Sequence, residues 1–164
     1  MATIKFKGLE DYELQLSRLE KMTPEIAGRA IYQGAKIVAD EIRKNIEKKT
    51  AYDDKAGIYA YVLKNNPPLT RTAKKGLLDG CGISEIRNDD GFYNVKLGFS
   101  GYNGLKTKKY PKGQPNVLIA RVLESGSSIS EKSPFIRPAI TSKKKAAEQA
   151  MAKELEKEIQ KIMK

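Results

Sequence analysis

The sequence predicts an α+β fold: a small antiparallel sheet with a β-hairpin, packed against two N-terminal helices and a long C-terminal helix. Three observations carry that reading. Apolar residues recur at helical spacing from Leu9 to Ile46 and again from Ile140 to Ile162. An Asp90-Gly91 pair stands before an alternating apolar/polar run in the middle of the chain. No internal repeat interrupts the 164 residues, and a hydrophobic share of 40% suits one domain, 1–164, with one core.

In chain order, Ile4 and Phe6 alternate with polar neighbours over Thr3–Lys7, as a half-buried strand does, and Gly8 ends the run. Leu9, Tyr12, Leu16, Leu19 and Met22 then trace one face of a first helix. Thr23-Pro24-Glu25 reads as a restart, with Thr23 as N-cap, Pro24 at the first helical position and Glu25 near the positive end of the dipole. A second helix follows to about Glu47, with Ile26, Ala30, Ile31, Ala35, Val38, Ile42 and Ile46 on one side. Residues 49–68 lose all periodicity and predict a mobile connection, within which Ile58–Leu63 reads as a short strand. Thr70–Asp79 forms either a short basic helix or a turn. Ile83–Phe99 is the hairpin, turned by Asn88-Asp89-Asp90-Gly91, with Tyr93, Val95, Leu97 and Phe99 on one face of its second strand. A second mobile loop is expected at 100–115. Val117–Leu123 is either a short helix capped by Asn116 and ended by Gly126, or a strand. Pro138–Met163 is a helix of about 39 Å, whose stripe is Ile140, Ala147, Met151, Leu155, Ile159 and Ile162. A rod that long must cross the whole body or end against another subunit.

The chain contains no histidine, the commonest general base and metal ligand, and no cysteine pair at zinc spacing. Its single cysteine, Cys81, lies between two glycines and reads as a small buried residue. The paired carboxylates Asp53-Asp54 and Asp89-Asp90 suit turns better than a Mg²⁺ site. No glycine pattern for nucleotide phosphates is present. No catalytic residue, metal site or cofactor is therefore expected, and the protein is read as no enzyme. No apolar run reaches the ~18 residues that cross a bilayer, and the N-terminal residues lack a signal-peptide core, so synthesis in a reducing cytoplasm is expected. The formal charge of +11, with a pI near 9.6, favours polyanionic partners. Tyr102, Lys106, Lys108, Lys109, Tyr110 and Lys112 interleave bases with stacking surfaces and are the candidate contact to nucleic acid or a protein partner.

The most constrained stretch is Glu124-Ser125-Gly126-Ser127, followed by Ser133-Pro134-Phe135-Ile136-Arg137-Pro138-Ala139-Ile140. Pro134 and Pro138 fix φ and remove donors, and they push Ser133 and Arg137 towards extended backbone. Phe135 and Ile136 are apolar anchors, and Pro138 falls in the first turn of a helix. The segment reads as a rigid strap that sets where the last helix starts.

These residues resemble the E-x-G-[TS] … P-F-[IL]-R-P-A signature of the small neck and tail-completion (head–tail joining) proteins of long-tailed phages, the family typified by gene product ten of phage HK-97. Phe6-Lys7-Gly8-Leu9, Tyr12-Glu13-Leu14 and the small residues Ala30, Gly34-Ala35 and Ala39 fit the same family. Its Pro-x-x-Thr-Gly-x-Leu element is matched only loosely by Pro68–Leu78, after a long insertion. The resemblance implies a structural virion protein of a phage or prophage, made in the host bacterial cytoplasm and located in the neck or tail. It implies an oligomeric ring of like copies, a hexamer being one candidate, bound to neighbouring neck or tail proteins and near passing DNA. It also implies a structural role for Glu124, Gly126, Pro134, Phe135, Arg137 and Pro138. The competing reading is a basic nucleic-acid-binding module; an enzyme of lysis or DNA processing lacks any motif.

Overall fold

Leu9 to Glu47 is one helix, α1, where two were expected. The computed structural model describes residues 9–53, 69–106, 108–128 and 131–163, with side chains from Leu14 onward. The strands expected at Thr3–Lys7 and Ile58–Leu63 lie outside the described residues. Pro24 sits inside α1, and Thr23 does not cap. Its hydroxyl donates back to the Leu19 carbonyl at 2.9 Å, a contact that only continuous helix places in reach. An interior proline costs about 3 kcal/mol. Ile26 and Ala30 are buried directly after it, and tertiary packing of that face offsets the local penalty.

Past α1 the chain turns, and the ends of the long 49–68 connection are tied together. Tyr52 N donates to the Leu69 carbonyl and Arg71 N to the Tyr52 carbonyl, both at 2.9 Å. Thr70 then caps α2 (Arg71–Gly80), its Oγ1 accepting from Ala73 N at 3.1 Å, which settles helix over turn. Strand β1 (Cys81–Ile83) pairs antiparallel with β4 (Leu97–Phe99), Gly82 opposite Gly98. Beyond it, β2 (Arg87–Asp89) pairs with β3 (Phe92–Asn94) through the predicted turn. Asp90 (φ 53°) and Gly91 (φ 91°) supply the two positive torsions that a two-residue hairpin demands. Asn88 Oδ1 closes the turn by accepting from Gly91 N at 2.8 Å. The expected single strand 92–99 is split, because Lys96 N bonds to the Ser84 side-chain oxygen at 2.8 Å instead of a backbone carbonyl.

The ambiguous 117–123 segment is helix, α3 (Asn116–Ser125), with Gly126 at φ 79° past its end. Asn116 does not cap it. Pro115 holds the cap position, and Asn116 Nδ2 reaches across to the Ser100 carbonyl at 2.8 Å. The last helix, α4, runs Ile136–Ile162. Arg137, expected to be extended, is its second residue.

Helices α1 and α4 lie antiparallel. Asn45 meets Phe135, Arg29 meets Glu158, and Gln15 meets the Met163 carbonyl. The stripe expected on α4 is met only in part: Ala147 is buried and Met151 packs against Gly34 at this seam, but Ile140, Leu155 and Ile159 are exposed, and Ala139 and Glu158 are buried instead. The seam takes small residues. A Cβ on Gly34 would stand 2.7 Å from Met151 Cγ, so the missing side chain there makes room for the methionine.

The molecule consequently has two parts. The body gathers Val38, Ile42, Ile46, Leu69, Leu77, Leu123 and Phe135 into one core, where the end of α1 meets α2, α3, the β1–β4 pair and the start of α4. The stalk is the rest of the α1–α4 pair, with the β2–β3 hairpin laid alongside. Tyr32 Oη bonds to the Ser84 carbonyl at 2.9 Å, and Ile86 Cδ1 covers Gly28. At 1.5 Å per residue the 39 residues of α1 reach about 58 Å.

Candidate functional site: the Glu124 junction

Glu124 stands in the last turn of α3, and Gly126 turns the chain out of that helix, its N–H closing on the Val122 carbonyl at 2.8 Å. The strap returns at once: Ser133 N donates to the Leu123 carbonyl at 2.7 Å. Phe135 is 1% exposed and meets Phe99 edge to face, ring centroids 5.8 Å apart. Its burial brings the start of α4 under Glu124. Glu124 Oε2 accepts from Phe135 N and Ile136 N, both at 2.9 Å, and Oε1 accepts from Arg137 N at 3.0 Å. The first backbone donors of a helix have no partner within it. Here a carboxylate from another helix supplies one, and the favourable end of the α4 dipole adds to its hold. Pro138, lacking an N–H, leaves one donor fewer to satisfy.

Burial pushes the Glu124 carboxyl up, but the three backbone N–H bonds and the Arg137 guanidinium (Nε 3.7 Å away) outweigh it and hold its pKa below the usual carboxylate range. The charge is part of the joint.

The neighbouring helix end is treated with the opposite sign. Lys74 Nζ, from α2, donates to the Glu47 and Lys49 carbonyls at 2.7 and 2.9 Å, at the C-terminus of α1. A cation belongs at that end of a helix as an anion belongs at the other. Lys49 donates to the Ser133 carbonyl and hydroxyl oxygens at 2.7 and 2.6 Å and lies over the Phe135 ring. Burial lowers its pKa, against the pull of Glu124. Asn45 Nδ2 completes the set on the Phe135 carbonyl at 3.1 Å. Two helix ends, the C-terminus of α1 and the N-terminus of α4, are thus each satisfied by a side chain from a different helix.

Lys49 and Ser133 have the composition of a base–nucleophile pair beside an open cavity of about 260 Å³ lined also by Tyr52, Leu69 and Leu123. Lys49 Nζ also bonds the Ser133 backbone carbonyl at 2.7 Å, so the contact holds the strap's main chain as well as its hydroxyl. The pair fastens the strap.

Of the six residues carrying the resemblance, Glu124 and Phe135 form the joint and Gly126 makes the turn. Pro134, Arg137 and Pro138 line an open groove with Lys132, Thr141 and Ser142 on its outer side. The second candidate group lies elsewhere. Tyr102 is 63% exposed, Lys106, Lys108, Lys109 and Lys112 are exposed, and Tyr110 is half-buried with Lys109 over its ring. The 100–115 segment carrying them is cross-tied at its base. Asn103 N bonds to the Gln114 carbonyl at 2.9 Å, Asn116 N to the Gly101 carbonyl at 3.0 Å, and the buried Asn103 Oδ1 accepts from Leu105 N and Gln114 N. Gly113 (φ 103°) passes so close to the Asn103 carbonyl that any Cβ would collide with it.

Sequence reasoning missed Asn45, Lys49, Lys74 and Asn103. Each is a polar residue in a polar run, and only the fold shows which carbonyl it reaches. Set against family models, curated proteins and solved structures, the chain matches none. Among the described residues no helix is long and apolar enough to cross a membrane.

Proposed function

We propose that this protein is a structural assembly subunit, built to hold a fixed shape and present it to neighbours. Within that class, the motif resemblance favours a tail-completion or head–tail joining component of a tailed phage or prophage, acting as one member of an oligomeric ring at the neck. The supporting observation is the triple acceptance by Glu124. The acidic residue of the resemblance grips the backbone of the Phe-Ile-Arg segment of the same resemblance, eleven to thirteen residues on. The shared residues thus have a common mechanical purpose, which is to fix the angle at which a long helix leaves the body. A protein whose most constrained residues set an angle works as a component of a larger shape.

The test is solution mass by light scattering over a concentration series, with negative-stain electron microscopy of the same samples. Closed rings of uniform size are the expected result. A monomer at every concentration, with or without neck and tail proteins from a phage lysate, refutes the reading. The second reading, a nucleic-acid module, is favoured by the basic 106–112 loop with the exposed Tyr102 beside it. Duplex affinity that falls steeply with added salt supports it.

A further inference from the structure

Seven of the ten large hydrophobic side chains that the described residues leave exposed belong to the stalk: Leu14, Leu16, Met22, Tyr32, Phe92, Leu155 and Ile159. Leu14 is 52% exposed and Phe92 78%. Leu155 and Ile159 are one helical turn apart and share a face. Surface apolar residues scattered singly need no explanation, but a concentration of them on one end does.

Charge divides along the same boundary. The stalk (9–34, 84–96 and 147–162) has twelve acidic residues against eight basic, on a chain whose net charge is +11. The described remainder has eighteen basic residues against seven acidic. Glu20 stands one turn from Leu16, and Glu156 stands three residues from Ile159, so acid and apolar groups alternate on the stalk.

The body offers a surface of the matching kind. Tyr102, bridged to Pro115, and Val117, 58% exposed on the first turn of α3, flank the loop carrying Lys106, Lys108, Lys109 and Lys112. This loop packs on α2, where a Cβ on Gly104 would touch Thr72.

We propose that the stalk of one copy docks on the Tyr102–Val117 face and basic loop of the next, acidic and apolar surface against basic and apolar surface. The occupant is a second copy, because both halves of the match are present on one chain. Two different patches that fit each other give a head-to-tail contact, which closes into a ring when the rotation per copy divides the circle. The inference rests on the assembly reading above and adds its interface.

The test uses the full chain, its mass followed by light scattering in low (about 0.05 M) and high (about 0.5 M) salt. Two double variants reverse charges on exposed residues: Glu20→Lys with Glu156→Lys on the stalk, and Lys106→Glu with Lys108→Glu on the loop. Wild type is expected to assemble in low salt and weaken in high salt. Each variant keeps its circular dichroism and melting profile but needs about tenfold more protein, or greater, to assemble. An equimolar mixture of the two regains assembly, since each reversed surface then meets its complement. Rings that ignore both reversals overturn this interface and leave the assembly reading standing. A wild type that is monomeric throughout overturns the interface as well. Loss of duplex DNA affinity in the loop variant, with unchanged mass, assigns that face to nucleic acid and also defeats the proposal.

Discussion

The body and the stalk are drawn from the same two long helices, yet they are held together by different means. In the body, the end of α1 and the start of α4 are surrounded by Leu69, Leu77, Leu123 and Phe135, all almost fully buried. In the stalk they close to a seam of Ala30, Gly34, Met151 and Ala147, sealed on the outside by ion pairs. Glu158 is covered by Arg29 at 2.7 Å and by Lys161. Its carboxyl is held low by the Lys161 hydrogen bond, against the opposing effect of burial and with further help from Arg29. Large side chains interdigitating in three dimensions give the body a core of its own. A two-helix seam buries little, so large aliphatics such as Leu14, Leu155 and Ile159 stay exposed on the stalk.

That contrast is open to attack first at Phe135. Phe135→Ala removes the body's largest fully buried side chain and is expected to cost about 3–5 kcal/mol in urea unfolding. A loss below about 1 kcal/mol would mean that the strap is not anchored by the ring. Next, Glu124→Ala leaves three backbone donors facing a vacated site and should cost about 3 kcal/mol, with Glu124→Gln roughly half as damaging. The same residue sets an acid limit. Its folded pKa lies below the ordinary 4.5, so its contribution is fully present above that value and is lost as pH falls through the lower folded pKa. Stability measured against pH should therefore fall less steeply below 4.5 in Glu124→Gln than in wild type.

Two glycines sharpen the comparison at smaller scale. In the body, Gly113→Ala forces a left-handed residue against a backbone carbonyl that cannot yield, for about 2 kcal/mol or more. In the stalk, Gly34→Ala meets only the flexible Met151 side chain, and the gain in helix propensity, about 1 kcal/mol, nearly cancels the crowding. Thermal melts of the two variants should differ by several degrees, Gly113→Ala being the lower.

How much of this was legible beforehand follows the same division. The hairpin turn could be read from Asp90-Gly91, because positive torsions demand those residues. The strap could be read from its two prolines, and the end of α3 from Gly126. Pro24 misled, because a proline preceded by threonine has the look of a helix start, and only the packing of Ile26 and Ala30 shows that the helix runs on. The α4 stripe held at Ala147 and Met151 and misled at its large aliphatics, for a related reason. A count of large aliphatics favours Leu155 and Ile159, whereas a close seam selects alanines that carry almost no signal in a periodicity. At the junction, Glu124 and Phe135 were identified through a resemblance, and their contact was not. Lys49, Lys74 and Asn45 had no signature at all, since a side chain that caps another element's end is chosen by three-dimensional distance, not by spacing along the chain.

Hydrogen exchange of the amides of Phe135, Ile136 and Arg137, followed residue by residue by NMR, tests most directly the claim that a carboxylate from α3 fixes the start of α4. In wild type these three amides should exchange as slowly as those of the buried residues of α2, and Glu124→Gln should speed all three while leaving the Leu77 amide unchanged. Rapid exchange in wild type, at the rate of the frayed end near Ile162, would contradict the account.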